Sequence, residues 1–463
     1  MSIVSPGFYA LLALVVLLLA ICPVRSRKAI LLAASLIFYL APDLGSGLLG
    51  LSIVGVNLLL FRALLRETSE QTKDRIYHAS IAINLSLFVG LKLFFESYLG
   101  HSDAVWPVVG GALAYPLGLS FILPMLHAAL SDVYSGRIGS AGRPGTFVLN
   151  ALYFPYVTSG PIERLGQIEP QFEKPPKPTL EDVRAGIVLI ALGLVKKLVV
   201  ANRLEPYVTK VFSDGLSYSA TTVAIGIALN VAYLYSDFSG YTDIARGAAR
   251  CMGIEIRENF NRPFASRSVT EYWRRWHISF SSWLRDYIYM PLAFSLSRKT
   301  TAAPSIAVFL TFFAAGFWHR AMWTFVVFGI LHGLALALEQ RYGRPIERER
   351  VWLGRVQEVA ARGYTLAFVA GALVLFSASS VAAAGRIFSR LATSPLVPWP
   401  RELFGYLGPF MFALMVGALI LWRLLERWRS ALTLPQTPLF LLVCAAATVF
   451  FGTDGPGFIY VRF

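Results

Sequence analysis

Charge is scarce in this chain. Asp, Glu, Lys and Arg make up 15% of its 463 residues, against about 25% in an average soluble domain. With 42 Lys+Arg and 27 Asp+Glu, the polar surface is too small to cover a soluble fold of this length. An ordinary cytosolic enzyme and a disordered protein are both excluded. Cysteine is scarcer still: Cys22, Cys251 and Cys444 stand far apart and form neither a disulfide framework nor a metal-ligand pattern. GxSxG, HExxH and phosphate-loop motifs are missing too, so hydrolase, zincin and ATPase readings lack their signatures. Acids are outnumbered, and the formal net charge is +15. That excess invites a nucleic-acid reading, but 56% of the residues are hydrophobic, and no nucleic-acid partner is expected. In so apolar a chain, basic residues collect in cytoplasmic loops.

What is present is a series of long apolar runs. A transmembrane helix needs about 20 largely apolar residues, and candidate spans fall at 7–24, 28–42, 47–66, 76–98, 104–130, 184–203, 222–240, 303–318, 321–338, 363–380, 404–425 and 437–452. The fold class expected is an all-α polytopic membrane protein with about 11–12 transmembrane helices, organised as a single membrane domain over residues 1–463. The first run reads as a retained helix, because Arg25, Arg27 and Lys28 follow it rather than precede it, the wrong order for a cleaved leader. Those residues place the first loop in the cytoplasm. Later basic loops agree: 62–75 holds Arg62, Arg66, Lys73 and Arg75, 246–299 carries ten Lys/Arg against four acids, and 341–362 carries six Arg. Both termini are then expected outside. One exception is 386–401, an outside loop with Arg386, Arg390 and Arg401.

Two stretches do not read as simple spans. Residues 146–162 are apolar but short and interrupted by Pro155, Gly160 and Pro161, which fits a re-entrant element buried in protein. Residues 254–300 mix Arg and Asn with Tyr272, Trp273, Trp276, Trp283 and Tyr287, as in helices lying partly in the interface. The segment 170–181, with four prolines, is a stiff exposed loop. No internal repeat is visible.

The six histidines differ in setting. His78 and His101 stand at predicted helix ends, and His127 and His332 lie on apolar helices where packing is the ordinary role. His319 sits in AAGFWHRAMW, at a break between two apolar runs, with Trp318 and Trp323 beside it. Ionisable residues at membrane depth are functional candidates, and an imidazole suits the proton transfers of acyl exchange. A helix cap or an interfacial histidine is the competing reading. His277 follows in EYWRRWHISFSSWLRDY, among Arg274, Arg275, Arg285 and Asp286. That cluster reads either as a lipid-headgroup face or as a basic funnel for a phosphate-bearing or acidic partner.

The run YSDFSGYTDIARGAARCMGIEIRENFNRPFASRSVTEYWRRWHISFSSWLRDYIYMPL, residues 235–292, resembles the core of the membrane-bound O-acyltransferases. The resemblance is to the bacterial branch of alginate O-acetyltransferases and teichoic-acid D-alanyl transfer proteins. PLGLSFILPMLHAALSDVYSGR at 116–137, FPYVTSGPIERLGQ at 154–167, GLVKKLVVAN at 193–202 and GFWHRAMWTFVVFGILHG at 316–333 agree in order and spacing. The resemblance covers residues 116–340. It implies that His319 is the intramembrane catalytic histidine and His277 the second histidine of that branch. It also marks Trp273, Arg274, Arg275, Trp276, Arg285, Asp286, Trp318, Trp323, Asp237, Ser239, Tyr241, Asn259 and Asn261 as candidates for lining the donor tunnel. The family's usual WHG is here Trp318-His319-Arg320, which puts a large cation beside the catalytic position. The last residues, 458–463, read F-x-Y-x-x-F and resemble a tail whose tyrosine, here Tyr460, carries the acyl group. Aromatic anchoring of a helix end is the alternative.

The resemblance implies transfer of an acyl group, acetyl first, from a cytosolic thioester to a cell-surface polysaccharide across the bacterial cytoplasmic (inner) membrane. The donor is acetyl-CoA or an acyl carrier protein, with no tightly bound cofactor and no metal. The partners implied are membrane lipid, an extracytoplasmic SGNH-type acyltransferase and, in some systems, a carrier protein. D-alanyl transfer from a carrier protein is the second reading. A secondary transporter or flippase is the third, and it lacks the inverted repeats such a fold needs.

Overall fold

The computed structural model describes residues 3–95, 106–108, 111–113, 115–139, 143–214, 218–320, 322–342, 351–397, 408–430, 432, 436–453 and 455. They are dominated by helices: α1 (Pro6–Ile21), α2 (Val24–Leu40), α3 (Leu44–Arg66), α4 (Glu70–Leu93), α5 (Leu119–Tyr134), α6 (Pro144–Leu152), α7 (Leu165–Glu173), α8 (Leu180–Leu194), α9 (Asn202–Asp214), α10 (Ala220–Cys251), α11 (Val269–Arg275), α12 (Ile278–Leu284), α13 (Met290–Ser297), α14 (Ala303–His319), α15 (Trp323–Tyr342), α16 (Val351–Ser377), α17 (Val381–Thr393), α18 (Gly408–Ser430) and α19 (Thr437–Phe451). Local chemistry sets several starts. Ser5, Asp43, Ser69, Ser268 and Ser380 each accept a hydrogen bond from a backbone N–H in the first turn of the helix they precede, satisfying donors that a helix start leaves open.

Among the described residues, four helical segments are long and apolar enough to cross a membrane: Leu44–Arg66, Glu70–Leu93, Trp323–Tyr342 and Val356–Ser377. Four shorter apolar helices, α1, α5, α14 and α19, accompany them. The run 104–130 is not one helix. A hairpin of strands β1 (Trp106–Val108) and β2 (Gly111–Leu113) occupies its first part. Helix α5 starts only at Leu119, after Gly118 turns the chain at φ +67°. Between residues 195 and 201 the helix following α8 widens to a π-helix before α9 begins. Helix α10 has 32 residues, a length of about 48 Å, and continues well past the predicted span at 222–240.

Two compact units are present. Among the described residues, one comprises those up to Leu194 with Tyr241–Glu258, and the other Val195–Gly240 with those from Asn259 onward. In the first, α3 packs on α4 and α5, and α2 on α6. Buried Asn57 and Asn84 exchange amide hydrogen bonds of 2.9 and 2.8 Å between α3 and α4, the kind of polar glue that holds apolar helices together in lipid. Lys28 on α2 reaches Glu173 at 2.6 Å and Thr146 at 2.7 Å, tying α2 to α6 and α7. After α6 the chain runs through 153–164 without a helix, and every residue there is buried. Irregular backbone enclosed by protein is the form a re-entrant element takes. Gly160 is needed in it, because any Cβ would meet the Tyr156 backbone.

In the second unit α14 and α15 form a helical hairpin. Gly316 faces the Phe325 carbonyl and Gly329 the Phe312 carbonyl so closely that neither has room for a Cβ. The contact is backbone to backbone, which small residues permit. Helix α16 packs on α15, and α18 and α19 pack on the π-helical segment. The stretch from α11 to α13 is broken into helices of seven, seven and eight residues with a π turn at Arg285–Tyr289 between the last two. None of these pieces is long enough to span a bilayer.

Candidate active site

The glycine contact between α14 and α15 fixes the position of the last residue of α14, His319. Its side chain is buried, 3% exposed. Aromatic rings surround it: Trp318 at 4.8 Å between centroids, Phe376 of α16 at 5.2 Å, Phe280 at 5.8 Å, Phe325 at 6.1 Å and Phe328 at 6.3 Å. Arg320 follows in extended backbone, φ −154° and ψ 147°, so the helix stops at the histidine.

His277 precedes α12 with φ +45° and ψ +54°, a left-handed conformation that a residue with a Cβ adopts at a cost. Asn259 holds it there. The Asn259 Oδ1 accepts from the Ser279 backbone N–H at 3.1 Å and from the Ser279 hydroxyl at 2.9 Å, and lies 3.2 Å from His277 Nδ1. Because a backbone N–H can only donate, the contacting atom of Asn259 is its carbonyl oxygen, and His277 Nδ1 is the donor to it. The neutral imidazole then presents Nε2 as its acceptor. The Ile278 N–H adds a bond of 2.9 Å to the Asn259 carbonyl, and Asn261 N–H one of 2.9 Å to the Arg275 carbonyl. Phe280 meets both histidines, 5.1 Å from His277 and 5.8 Å from His319, and stacks on Trp318 at 4.3 Å.

The other sequence-predicted residues divide by place. Trp276 is buried and stacked on Tyr272, while Arg275 pairs with Glu271 at 2.8 Å. Burial pushes the Glu271 carboxyl up, but the Arg267 amide and the Arg275 guanidinium outweigh it and hold it below the usual carboxylate range. Trp273 is buried, and its indole N–H donates to His332 Nδ1 at 3.1 Å. A cavity of about 650 Å³ opens beside it, with Arg274 and Arg285 among its lining residues and Trp273, Ile278, Phe312 and Leu336 forming apolar wall. Asp286 pairs with its neighbour Arg285 at 2.7 Å. Asn261 is exposed. Trp318 is half-buried against Phe280, but Trp323 is 78% exposed.

Asp237 and Ser239, on α10, are fully buried. Asp237 forms an ion pair of 2.6 Å with Lys197 on the π-helical segment, and both are at most 2% exposed. The adjacent Phe238 meets His277 edge-on at 4.8 Å, so this pair sits one residue from the histidine's neighbour. Tyr241 belongs to the other unit, where its hydroxyl contacts the Thr158 hydroxyl and accepts from Ser159 N–H at 3.2 Å. Tyr460 and the rest of the 458–463 tail lie outside the described residues.

Sequence reasoning did not single out Lys197, Phe280 or Glu339. Glu339 of α15 receives the Val269 and Thr270 N–H groups at 2.7 and 2.8 Å, anchoring the start of α11. The available signal for Lys197 was two lysines inside an apolar run, which at membrane depth require a partner.

Comparison with known proteins gives this arrangement its context. Over 240 residues the chain is 37% identical to a protein named probable alginate O-acetylase in Azotobacter vinelandii, covering 52% of this chain and 47% of that one. It is 30% identical over 243 residues to the peptidoglycan O-acetyltransferase of Helicobacter pylori, 52% of this chain and 45% of that one. It is 32% identical over 261 residues to the teichoic acid D-alanyltransferase of Streptococcus thermophilus, 52% and 61% respectively. The chain thus spans about half the length of the curated relatives it matches. Residues 146–376, which contain both histidines and the residues that hold them, match MBOAT, and the chain belongs to this membrane-bound O-acyltransferase family.

Proposed function

We propose that this protein is a membrane O-acyltransferase that takes an acyl group, acetyl in the first reading, from a cytosolic thioester and passes it across the membrane for O-acylation of a cell-surface polysaccharide. The observation that carries the reading is the buried His319 at the end of α14, walled by aromatic rings, with His277 against Phe280. His319 removes the proton from an attacking hydroxyl, whose oxygen adds to the thioester carbonyl. The C–S bond then breaks, and the leaving thiolate takes the proton back from the imidazolium. The aromatic wall keeps water from competing for the acyl group. The cavity beside Trp273, with Arg274 and Arg285 on it, suits the phosphate-bearing arm of acetyl-CoA or an acyl carrier protein. His277, held by Asn259, orients rather than exchanges protons. The acceptor hydroxyl is that of Tyr460, which hands the group to an extracytoplasmic SGNH-type partner, in a bacterial inner membrane with both termini outside.

D-alanyl transfer is the second reading, favoured by the similarity to a protein named teichoic acid D-alanyltransferase. One experiment separates the two. The protein is captured from cells, and the group released from it by mild base is identified by mass spectrometry, alongside Tyr460→Phe. Acetate from the native chain and none from the variant is the expected result. Alanine selects the second reading. Normal polymer acylation by Tyr460→Phe overturns the relay.

A further inference from the structure

Beyond the residues matched to the family, α17 has a pattern that acyl transfer does not account for. Helix α16 ends at Ser377, where the apolar segment Val356–Ser377 is complete, and α17 begins at Val381 after the extended cap Ser380. Chain connectivity therefore starts α17 at the end of a span. Its 13 residues reach about 20 Å, too short to cross the hydrocarbon core. Its far end is pinned as well. The Pro395 carbonyl accepts from Ala220 N–H at 3.1 Å, and Val397 exchanges bonds of 3.0 and 2.9 Å with the Thr221 hydroxyl at the start of α10.

Between these ends α17 has three faces. Ala383, Ala384 and Ile387 are buried against protein. Val381, Phe388 and Leu391 form a second, apolar stripe that is 39–41% exposed. Arg386 and Arg390, four residues apart and so on one face, form the third, where Arg390 Nη1 also donates to the Ser394 hydroxyl at 3.3 Å. An exposed apolar stripe on one side of a helix and two arginines on the other, at the end of a span, is the form of a helix lying in the membrane interface. It also supplies a local reason for arginines on the side where the charge pattern predicts few.

We propose that α17 lies in the bilayer interface with Phe388 and Leu391 seated among the acyl chains of the bilayer, and that Arg386 and Arg390 on its other side together bind the phosphate of an anionic phospholipid. A polyanionic polysaccharide would match the arginines but give no reason for the apolar stripe.

The test is a titration of the detergent-purified full chain with phosphatidylglycerol and, separately, phosphatidylcholine, bound lipid being read by native mass spectrometry. Arg386→Gln with Arg390→Gln is expected to weaken phosphatidylglycerol retention on the order of thirtyfold, from roughly 1 kcal/mol per arginine at a charged surface, and to leave phosphatidylcholine unchanged. The Arg386→Lys, Arg390→Lys pair, which keeps both charges, is expected to stay within a few-fold of wild type and controls for folding. Phe388→Gln with Leu391→Gln should weaken both lipids. Wild-type phosphatidylglycerol retention by the Gln pair overturns the proposal. So does loss of binding to a soluble polyanionic oligosaccharide by the Gln pair with lipid retention intact, which would assign the face to a polymer.

Discussion

His277 and His319 are both buried histidines in contact with one phenylalanine, Phe280, yet they are held by different means. His277 is fixed by a side-chain amide that also binds Ser279 twice, and by a left-handed backbone at φ +45°. Its proton is committed to Nδ1 by that amide. His319 ends a helix and is confined by rings from α12, α14, α15 and α16. Rings limit where an imidazole can go and exclude water. A residue that holds geometry is served by a fixed tautomer, and one that exchanges protons with a thioester by a site closed to water. Under the proposed function, the contrast fits exchange of protons at His319 and positioning at His277.

The sharpest way to break this contrast is to replace each ring by glutamine, which keeps hydrogen-bonding capacity but cannot act as a base at neutral pH. His319→Gln should lower acyl transfer about 10²–10⁴-fold, the usual contribution of a positioned general base. His277→Gln should lower it by on the order of tenfold, the scale of one lost hydrogen bond. Equal losses in a labelled-donor transfer assay would erase the distinction. Next in size is Asn259→Leu, which strands the Ser279 N–H and the His277 Nδ1 proton in a buried site. It should destabilise the chain by about 2 kcal/mol or more, seen as a lower thermal midpoint in detergent. Asn259→Asp keeps the acceptor and should recover most of that loss. If Leu and Asp melted alike, the amide would not be what orients His277.

Much of this contrast was legible in the sequence, because WRRWHIS and GFWHRAMW are local: the aromatic neighbours and the break after His319 lie within a few residues of each histidine. Composition and apolar runs likewise indicated an all-helical membrane chain. What could not be read were features set by distant partners or by backbone geometry. Lys197 stands in an ordinary apolar run until Asp237, 40 residues on, is brought to it. The π-helix at Val195–Ala201 leaves no mark on hydropathy. The run 104–130 looked continuous because the hairpin residues Trp106–Val108 and Gly111–Leu113 are as apolar as a span. Hydropathy counts side chains, whereas Pro107, Gly111 and the left-handed Gly118 act through the backbone. His332 was read as a packing residue, and its bond from Trp273 connects elements far apart in sequence.

Smaller changes sharpen the aromatic side of the comparison. Phe280→Leu removes the ring that touches both histidines while filling most of its volume. Aromatic pairs contribute about 0.5–1.5 kcal/mol beyond their burial, so transfer should fall by roughly two- to tenfold, with a similar loss in Phe376→Leu. A loss confined to Phe280 would make the ring contact shared by the two histidines, rather than the exclusion of water around His319, the quantity that matters.

The smallest effect is expected at Trp323, and it tests how far proximity in sequence can be trusted. Trp318 and Trp323 flank His319 symmetrically on paper, but Trp318 stacks on Phe280 at 4.3 Å while Trp323 is 78% exposed. At the first turn of α15 the ring meets lipid or water rather than the histidine. Trp323→Ala should therefore change stability by no more than about 0.5 kcal/mol, as surface substitutions do, and leave transfer within about twofold of wild type. Trp318→Ala, which removes a stacked ring beside His319, should cost more in the same assay. If the two alanine variants lost activity equally, the ring enclosure of His319 would extend to Trp323, and confinement by α14 and its partners would no longer set this histidine apart from His277.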